Sequence, residues 1–273
     1  MRRWMLGLAL LALVLGACAP RLLAPTPPGA RLGNAELVSV DPFADELTLR
    51  LDLVLTNPNA FDLPLLDSEL TVKLGALTAR ARLPRMTLPA GGEAPASVLV
   101  TFPLTRSADT ARRLLDGEAL PLTLTARVRV EAMGVRLWLG PYVLLRDRVQ
   151  LSFRLRPPRI AIQGVELNIA GGELALTLVL RVDNGLPVGF LLDASGQVML
   201  AGEALGSLPL ELRLRPRASE LSRLTLRVPL YRVPGIVARA RSGAPLVVRG
   251  RITLELPGVL RRGFDLELTG RLP

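Results

Sequence analysis

The sequence predicts an all-β fold made of two tandem immunoglobulin/fibronectin-III-like β-sandwich domains, each with one short helix. Three observations support this prediction. Apolar and polar residues alternate in many short runs, turn residues separate those runs, and landmarks in the first half recur in the second half. Alternation with a period of two is typical of half-buried strands, and several short strands with regular turns favour a sandwich.

The clearest predicted strand covers residues 47–53, where leucine occupies every second position. Residues 174–182 repeat this leucine period in the second half of the chain. Turns such as Asn184-Gly185 separate the runs, because asparagine and glycine adopt backbone conformations that strands do not. In the first half, further strands are predicted at 69–74, 97–103, 122–130 and 149–155.

The chain contains an internal duplication. Leu178 follows Leu53 by 125 residues, and Val228-Pro229-Leu230 follows Phe102-Pro103-Leu104 by 126 residues. A constant offset over several landmarks is the signature of a repeated unit. The duplication predicts domains at 34–157 and 158–273, joined at the proline pair 157–158.

One segment in each copy breaks the strand pattern. Residues 107–117 begin with Ser107 and end with Gly117, which are typical helix start and stop residues. The corresponding segment, 233–242, precedes Gly243 in the same way. Each copy is therefore predicted to carry one short helix.

The N-terminus predicts export. Residues 1–17 combine a basic start with a short apolar run, as in a signal peptide. They end in Leu15-Gly16-Ala17 before Cys18, which resembles the bacterial lipobox and implies that Cys18 is acylated. The alternative is an ordinary signal peptide with an incidental cysteine.

The location follows from this interpretation. The protein is predicted to be exported and lipid-anchored to the cell envelope, with a membrane as partner through acylated Cys18. Ala19 after the cysteine resembles a sorting signal for the outer membrane, periplasmic side, if the host is diderm. Residues 18–33 contain four prolines and predict a short tether.

Composition excludes several kinds of chemistry. The chain has no histidine and one cysteine, so imidazole bases, imidazole metal sites, zinc ribbons and iron–sulfur clusters have no ligands. Its acidic residues are dispersed, and Lys73 lies outside any serine–lysine motif. We expect a protein that is not an enzyme and that needs no cofactor and no metal.

Arginine is the one chemically informative residue type left. It alternates with apolar residues in Arg127-Val128-Arg129, which predicts a guanidinium face on a strand. That face is either a solvated outer surface or a contact with anionic lipid or envelope polymers. Export argues against nucleic acid as a partner. The same pattern marks five candidate anion contacts: Arg154, Arg156, Arg213, Arg215 and Arg217.

The first copy resembles a known family at one motif. Its strand leads into Asn57-Pro58-Asn59, and the second copy keeps only Asn184 of this motif. With the order of elements and the duplication, the chain resembles the late embryogenesis abundant type 2 family, also called the water stress and hypersensitive response (WHy) domain, over 34–273. The resemblance implies β-sandwiches without catalytic residues, linked to desiccation, cold and other stress.

Two interpretations of the motif stay open. Asparagine and proline hold tight corners, which makes Asn57, Pro58, Asn59 and Asn184 structural, and the alternative is a ligand site at the corner.

Three functions follow from these observations. The first is protection of membranes or stress-labile client proteins during water loss. The second is lipid binding or transfer in a groove between the sheets. The third is a structural or adhesive module that presents a face to another envelope component.

Overall fold

The computed structural model describes residues 25–104, 108–132, 134–232 and 243–271, together with Gly235 and Ala238. The lipobox, Cys18 and most of the 18–33 segment lie outside these residues. Antiparallel strands dominate the described chain, and they form four sheets. The all-β sandwich prediction is confirmed.

The first sandwich pairs a three-stranded sheet with a larger one. One sheet has the order β1-β2-β6, and the other has the order β4-β3-β7-β8 with β5 beside β3. The elements are β1 (Gly29–Asp41), β2 (Glu46–Thr56), β3 (Leu63–Leu74), β4 (Leu77–Arg82), β5 (Met86–Leu88), β6 (Glu93–Pro103), α1 (Ala108–Leu115), β7 (Leu120–Ala132) and β8 (Val135–Val149).

The second sandwich repeats this plan. Its sheets have the orders β13-β10-β9 and β12-β11-β14-β15, which match β6-β2-β1 and β4-β3-β7-β8 strand for strand. The internal similarity in sequence is therefore also a similarity in topology. The elements are β9 (Arg159–Ala170), β10 (Glu173–Asp183), β11 (Phe190–Leu200), β12 (Glu203–Leu214), β13 (Ser219–Pro229), a 3₁₀ turn (Leu230–Arg232), β14 (Pro245–Leu256) and β15 (Leu260–Arg271).

The core of each sandwich comes from alternating leucines on the central strands. In β2 every second side chain from Leu47 to Leu55 is buried, and β10 buries Leu174 to Leu180 in the same way. The intervening side chains point outward because the strand period is two. Each fully buried leucine stabilises the fold by about 1.5–3 kcal/mol, so this pattern fixes which face of each strand points inward.

The helix predicted in the first copy is present as α1. Asp109 lies in its first turn, and Arg112 and Arg113 lie in its last turn, which matches the helix dipole. Gly117 follows with a φ of +82°, a conformation that glycine adopts without strain. The segment predicted as the second helix, 233–242, lies almost wholly outside the described residues.

The predicted strand at 149–155 is wrong. β8 ends at Val149, and residues 150–158 belong to no strand. Val149 pairs with Leu120, the first residue of β7, so beyond this point no neighbouring backbone remains to continue the ladder. The chain leaves the sheet there and crosses to the second sandwich.

The predicted tether is also too long. β1 begins at Gly29, where Gly29 to Leu32 pair with Thr56 to Leu53 of β2. The prolines end at Pro28, so residues 29–33 have the backbone donors and the apolar alternation that a strand requires. The first domain therefore begins before residue 34.

The two sandwiches meet end to end at β1. The N–H of Val40 donates to the carbonyl of Pro187 at 2.7 Å, and the N–H of Gly189 donates to the carbonyl of Val40 at 2.8 Å. Val40 and Val188 form an isolated parallel bridge, and both side chains are fully buried. The far end of the first sandwich thus contacts the first corner of the second.

Replacing Val40 with aspartate should uncouple the two sandwiches. The variant places a carboxylate without a partner at a buried junction, which costs about 3–5 kcal/mol. We expect Val40→Asp to lower the unfolding temperature in calorimetry and to split the transition. Leu99→Asp is the matched control, because Leu99 is 60% exposed, and it should change stability by no more than about 0.5 kcal/mol. Equal effects of the two variants would contradict a coupling role for Val40.

Candidate functional site

The Asn57 side chain holds the corner that carries the chain from β2 in one sheet to β3 in the other. Its amide nitrogen donates to the carbonyls of Phe61, Leu88 and Pro89 at 2.8, 3.1 and 3.0 Å. Its amide oxygen accepts from the backbone N–H of Asn59 at 3.0 Å. Asn57 is fully buried, so its polar atoms serve the backbone of the corner.

Asn184 makes the corresponding hydrogen bonds in the second copy. Its amide nitrogen donates to the carbonyls of Val188 and Arg215, both at 2.8 Å, and its oxygen accepts from the N–H of Leu186 at 3.0 Å. The carbonyl four residues ahead and the N–H two residues ahead are the same partners as for Asn57. This is the arrangement that the structural interpretation of the motif requires.

Asn59 connects Asn57 to the incoming chain, and its amide nitrogen donates to the amide oxygen of Asn57 at 2.8 Å. Its side-chain oxygen accepts from the N–H of Thr26 at 2.8 Å, and its side-chain nitrogen donates to the carbonyl of Thr26 at 3.0 Å. The side chain of Asn59 thus imitates a backbone partner and fixes Thr26 to the corner. In the second copy Leu186 stands at this position, and no such amide exists.

The interior of the second sandwich contains a small cavity. The apolar cavity between its sheets, bordered by Leu178, Leu210 and Val248 among others, measures about 20 Å³. Pockets that hold small molecules typically measure about 300–1,000 Å³. The larger depressions among the described residues are open surface grooves, one of which lies at the junction of the sandwiches.

This groove, which we call the junction cleft, measures about 630 Å³ and contains two of the predicted arginines. Arg154 and Arg156 line it together with Leu186. The backbone of Arg217 adjoins the cleft, since its N–H donates to the carbonyl of Leu186 at 2.9 Å. All three arginines are exposed. Within the described part of the chain, none of their guanidinium groups has a carboxylate within ion-pair distance.

The other predicted arginines are arranged differently from the prediction. β12 ends at Leu214, so Arg215 and Arg217 lie in a turn, where Arg217 has a φ of +53°. The alternation at 213–217 does not continue as a strand because Pro216 has no N–H to donate. Arg213 lines a separate groove with acidic neighbours that include Glu255.

The Arg127-Val128-Arg129 pattern does lie on a strand, β7, and Val128 is fully buried. Its two arginines already have partners. Arg129 lies 3.7 Å from a carboxylate oxygen of Asp67, and the guanidinium of Arg127 lies 4.9 Å from the centre of the Trp138 ring.

Asp183 provides a carboxylate near the cleft. Its pKa is lowered, first because the Ser219 hydroxyl donates to it and then because Arg181 does. The Nε of Arg181 lies 2.9 Å from its carboxylate oxygen. Asp183 therefore stays charged, but its nearest cation is Arg181 rather than an arginine of the junction cleft.

Sequence analysis missed the exposed apolar residues of β8. Val135 is 54% exposed, Trp138 45% and Val143 47%. The available signal was the position of Trp138 between leucines 137 and 139, which alternation directs to the opposite face.

The described residues contain no cluster of three or more acidic or cysteine side chains arranged to hold a metal ion. Their helices are too short to span a bilayer.

Comparison with known proteins does not assign a family. No family model matches the chain, and no curated protein matches it. Solved structures give distant similarity. A protein from Archaeoglobus fulgidus is 10% identical with a TM-score of 0.29, over 49% of this chain and 100% of that one.

Two other solved structures cover more of this chain. Red sea bream transglutaminase is 12% identical with a TM-score of 0.27, over 88% of this chain and 31% of that one. An adhesin from Mobiluncus mulieris with disulfide, isopeptide and ester cross-links is 11% identical with a TM-score of 0.23, over 86% and 82%. At these values none of them indicates a function.

Replacing Asn57 with alanine should destabilise the first sandwich by at least about 2 kcal/mol, because three backbone carbonyls of the corner and both the N–H and the side-chain amide of Asn59 lose a partner. Urea unfolding of the full chain measures this as a lower midpoint. Asn168→Ala is the control, since Asn168 is exposed on β9. If the two variants unfold at the same midpoint, the corner does not depend on the Asn57 amide.

Proposed function

We propose that the protein is a lipid-anchored, non-catalytic component of the cell envelope, related to the late embryogenesis abundant type 2/WHy family, that protects membranes or client proteins during water loss. The anchor is acylated Cys18, after removal of residues 1–17. The family relation rests on the Asn57-Pro58-Asn59 corner and its partial repeat at Asn184.

The observation that supports protection through an outer surface is the small size of the cavity between the sheets of the second sandwich. An internal cavity of about 20 Å³ is too small for an acyl chain, whereas the outer faces carry dense charge of both signs. Charged faces stay hydrated and resist edge-to-edge aggregation. A surface of this kind separates client molecules as the solvent is removed.

A second function, contact with an anionic envelope component, is supported by the junction cleft. Arg154 and Arg156 line the cleft together with Asp116, and the backbone of Arg217 adjoins it. None of the three guanidinium groups forms an ion pair in the described chain. Guanidinium binds phosphate and carboxylate oxygens in bidentate geometry. The cleft lies at the Val40 end of β1, about 35 Å from Gly29 at the rise of an extended strand, so an envelope polymer fits it better than the bilayer that holds the anchor.

Loss of the gene should lower survival after drying or freezing. The wild-type gene should restore survival, and a Cys18→Ser gene should restore it less, because the protein is then not held at the membrane. The measurement is colony counts after a drying cycle, with Asn168→Ala as a complementation control. Unchanged survival of the deletion strain would count against the protective function.

If the junction cleft binds anions, a triple arginine variant should bind them more weakly. Arg154→Gln/Arg156→Gln/Arg217→Gln should weaken binding of inorganic polyphosphate about tenfold, since each exposed ion pair contributes about 0.5 kcal/mol. The control is Arg82→Gln/Arg223→Gln/Arg227→Gln, which removes equal charge from exposed positions elsewhere. Titration calorimetry at low salt measures both. Equal loss in the two variants would show that net charge, not the cleft, binds the polymer.

A further inference from the structure

Two large apolar side chains near the turn of the β7–β8 hairpin are exposed. Val135 begins β8 and is 54% exposed, and Trp138 is 45% exposed three residues later. The two side chains lie on opposite faces of β8, so this end of the hairpin is apolar on both faces, as in an edge that contacts another surface. We call Val135 and Trp138 the hairpin tip.

The hairpin tip lies at the end of the sandwich where the chain enters. Thr26 is bound to Asn59 at the corner that precedes β3. In β3, Leu65 lies opposite Val130 of β7, and Val130 lies opposite Leu137 of β8. The entry corner and the turn between β7 and β8 are therefore neighbours at one end, and the junction with the second sandwich is at the other.

The second sandwich shows what the equivalent hairpin does. The turn between β14 and β15 corresponds to the turn between β7 and β8, and there Val259 is only 6% exposed. Gly258 in this turn faces the first sandwich, because a Cβ built on it would lie 3.7 Å from the Cβ of Ala108 in α1. In the second copy, this hairpin therefore packs on the first sandwich, which precedes it in the chain.

The first sandwich is preceded by the membrane instead of by another domain, if Cys18 is acylated as proposed above. Six residues separate Cys18 from Pro25, the first described residue. They span at most about 25 Å, so the entry corner lies close to the bilayer surface. We propose that Val135 and Trp138 dock on the interface of the bilayer that holds the lipid anchor, as a second contact beside the acyl chains.

The chemistry of the hairpin tip suits this interface. Tryptophan is enriched where headgroups meet acyl chains, since its ring is apolar and its N–H stays hydrated. Arg127 lies over the Trp138 ring at 4.9 Å, which places a cation at headgroup level. Arg136 is 3.3 Å from Glu131 and so adds little net charge, and the docking is mainly apolar.

Trp138 itself reports on the docking. The chain has two tryptophans, and Trp4 is removed with the signal peptide, so Trp138 is the only one in the mature protein. The experiment uses the mature, lipidated full-length chain in vesicles of phosphatidylcholine and phosphatidylglycerol, with and without phosphatidylcholine brominated on its acyl chains. We expect brominated lipid to quench Trp138 emission and unbrominated vesicles to shift it to the blue relative to detergent.

Two matched variants test the location. Val135→Asp should lose most of the quenching, because a carboxylate at the tip resists entry into the interface. Val143→Asp should keep it, because Val143 is 47% exposed on the same strand but pairs with Thr125, well away from the turn. Both positions are exposed, and unchanged circular dichroism shows that both variants are folded.

Flotation with the vesicles separates this proposal from the one it depends on. A wild-type chain that does not float lacks the proposed anchor, and the proposed function fails with it. A chain that floats but shows no quenching by brominated lipid keeps the anchor and overturns the docking. Shielding of Trp138 from acrylamide that grows with protein concentration, without quenching by bromine, assigns the hairpin tip to a second copy of the chain and also overturns it.

Discussion

The architecture depends on one constraint, which is that the chain must cross between two sheets at a buried corner without leaving its backbone groups unpaired. Water does not reach this corner, since Asn57 and Asn184 are 0% and 2% exposed. One asparagine side chain supplies both donors and an acceptor, and so replaces the backbone partners that the ladders no longer provide. The leucine faces can meet across the sandwich because this crossing is satisfied in both copies.

Local pattern predicted much of the fold. The alternation at 47–53 and 174–182 marks β2 and β10, because a period of two fixes which side chains are buried. The same pattern misled at 149–155 and 213–217. Both segments keep the alternation, but residues 150–155 have no neighbouring strand and Pro216 has no N–H to donate. A local period does not encode which distant segments pair. The junction cleft depends on such distant contacts, so only its individual arginines could be named in advance.

The two copies share a corner and differ in what the corner serves. In the first copy Asn59 fixes the incoming chain at Thr26. In the second copy the corner faces the first sandwich, and Pro187 accepts the N–H of Val40. Duplication thus supplied two corners with the same internal bonds. The residues around them adapted one to the chain entry and the other to the domain junction.

β1 has a mechanical consequence. Its first residues lie next to Thr26, which is hydrogen-bonded to Asn59. Its last residues contact the second sandwich through Val40. Between these ends it is paired with β2 over nearly its whole length. Tension between the N-terminus and the second domain therefore runs along the axis of this strand. In that direction the ladder is loaded in shear, where many hydrogen bonds share the force instead of opening one after another. The first sandwich therefore resists extension best along β1, which is the direction in which this tension acts.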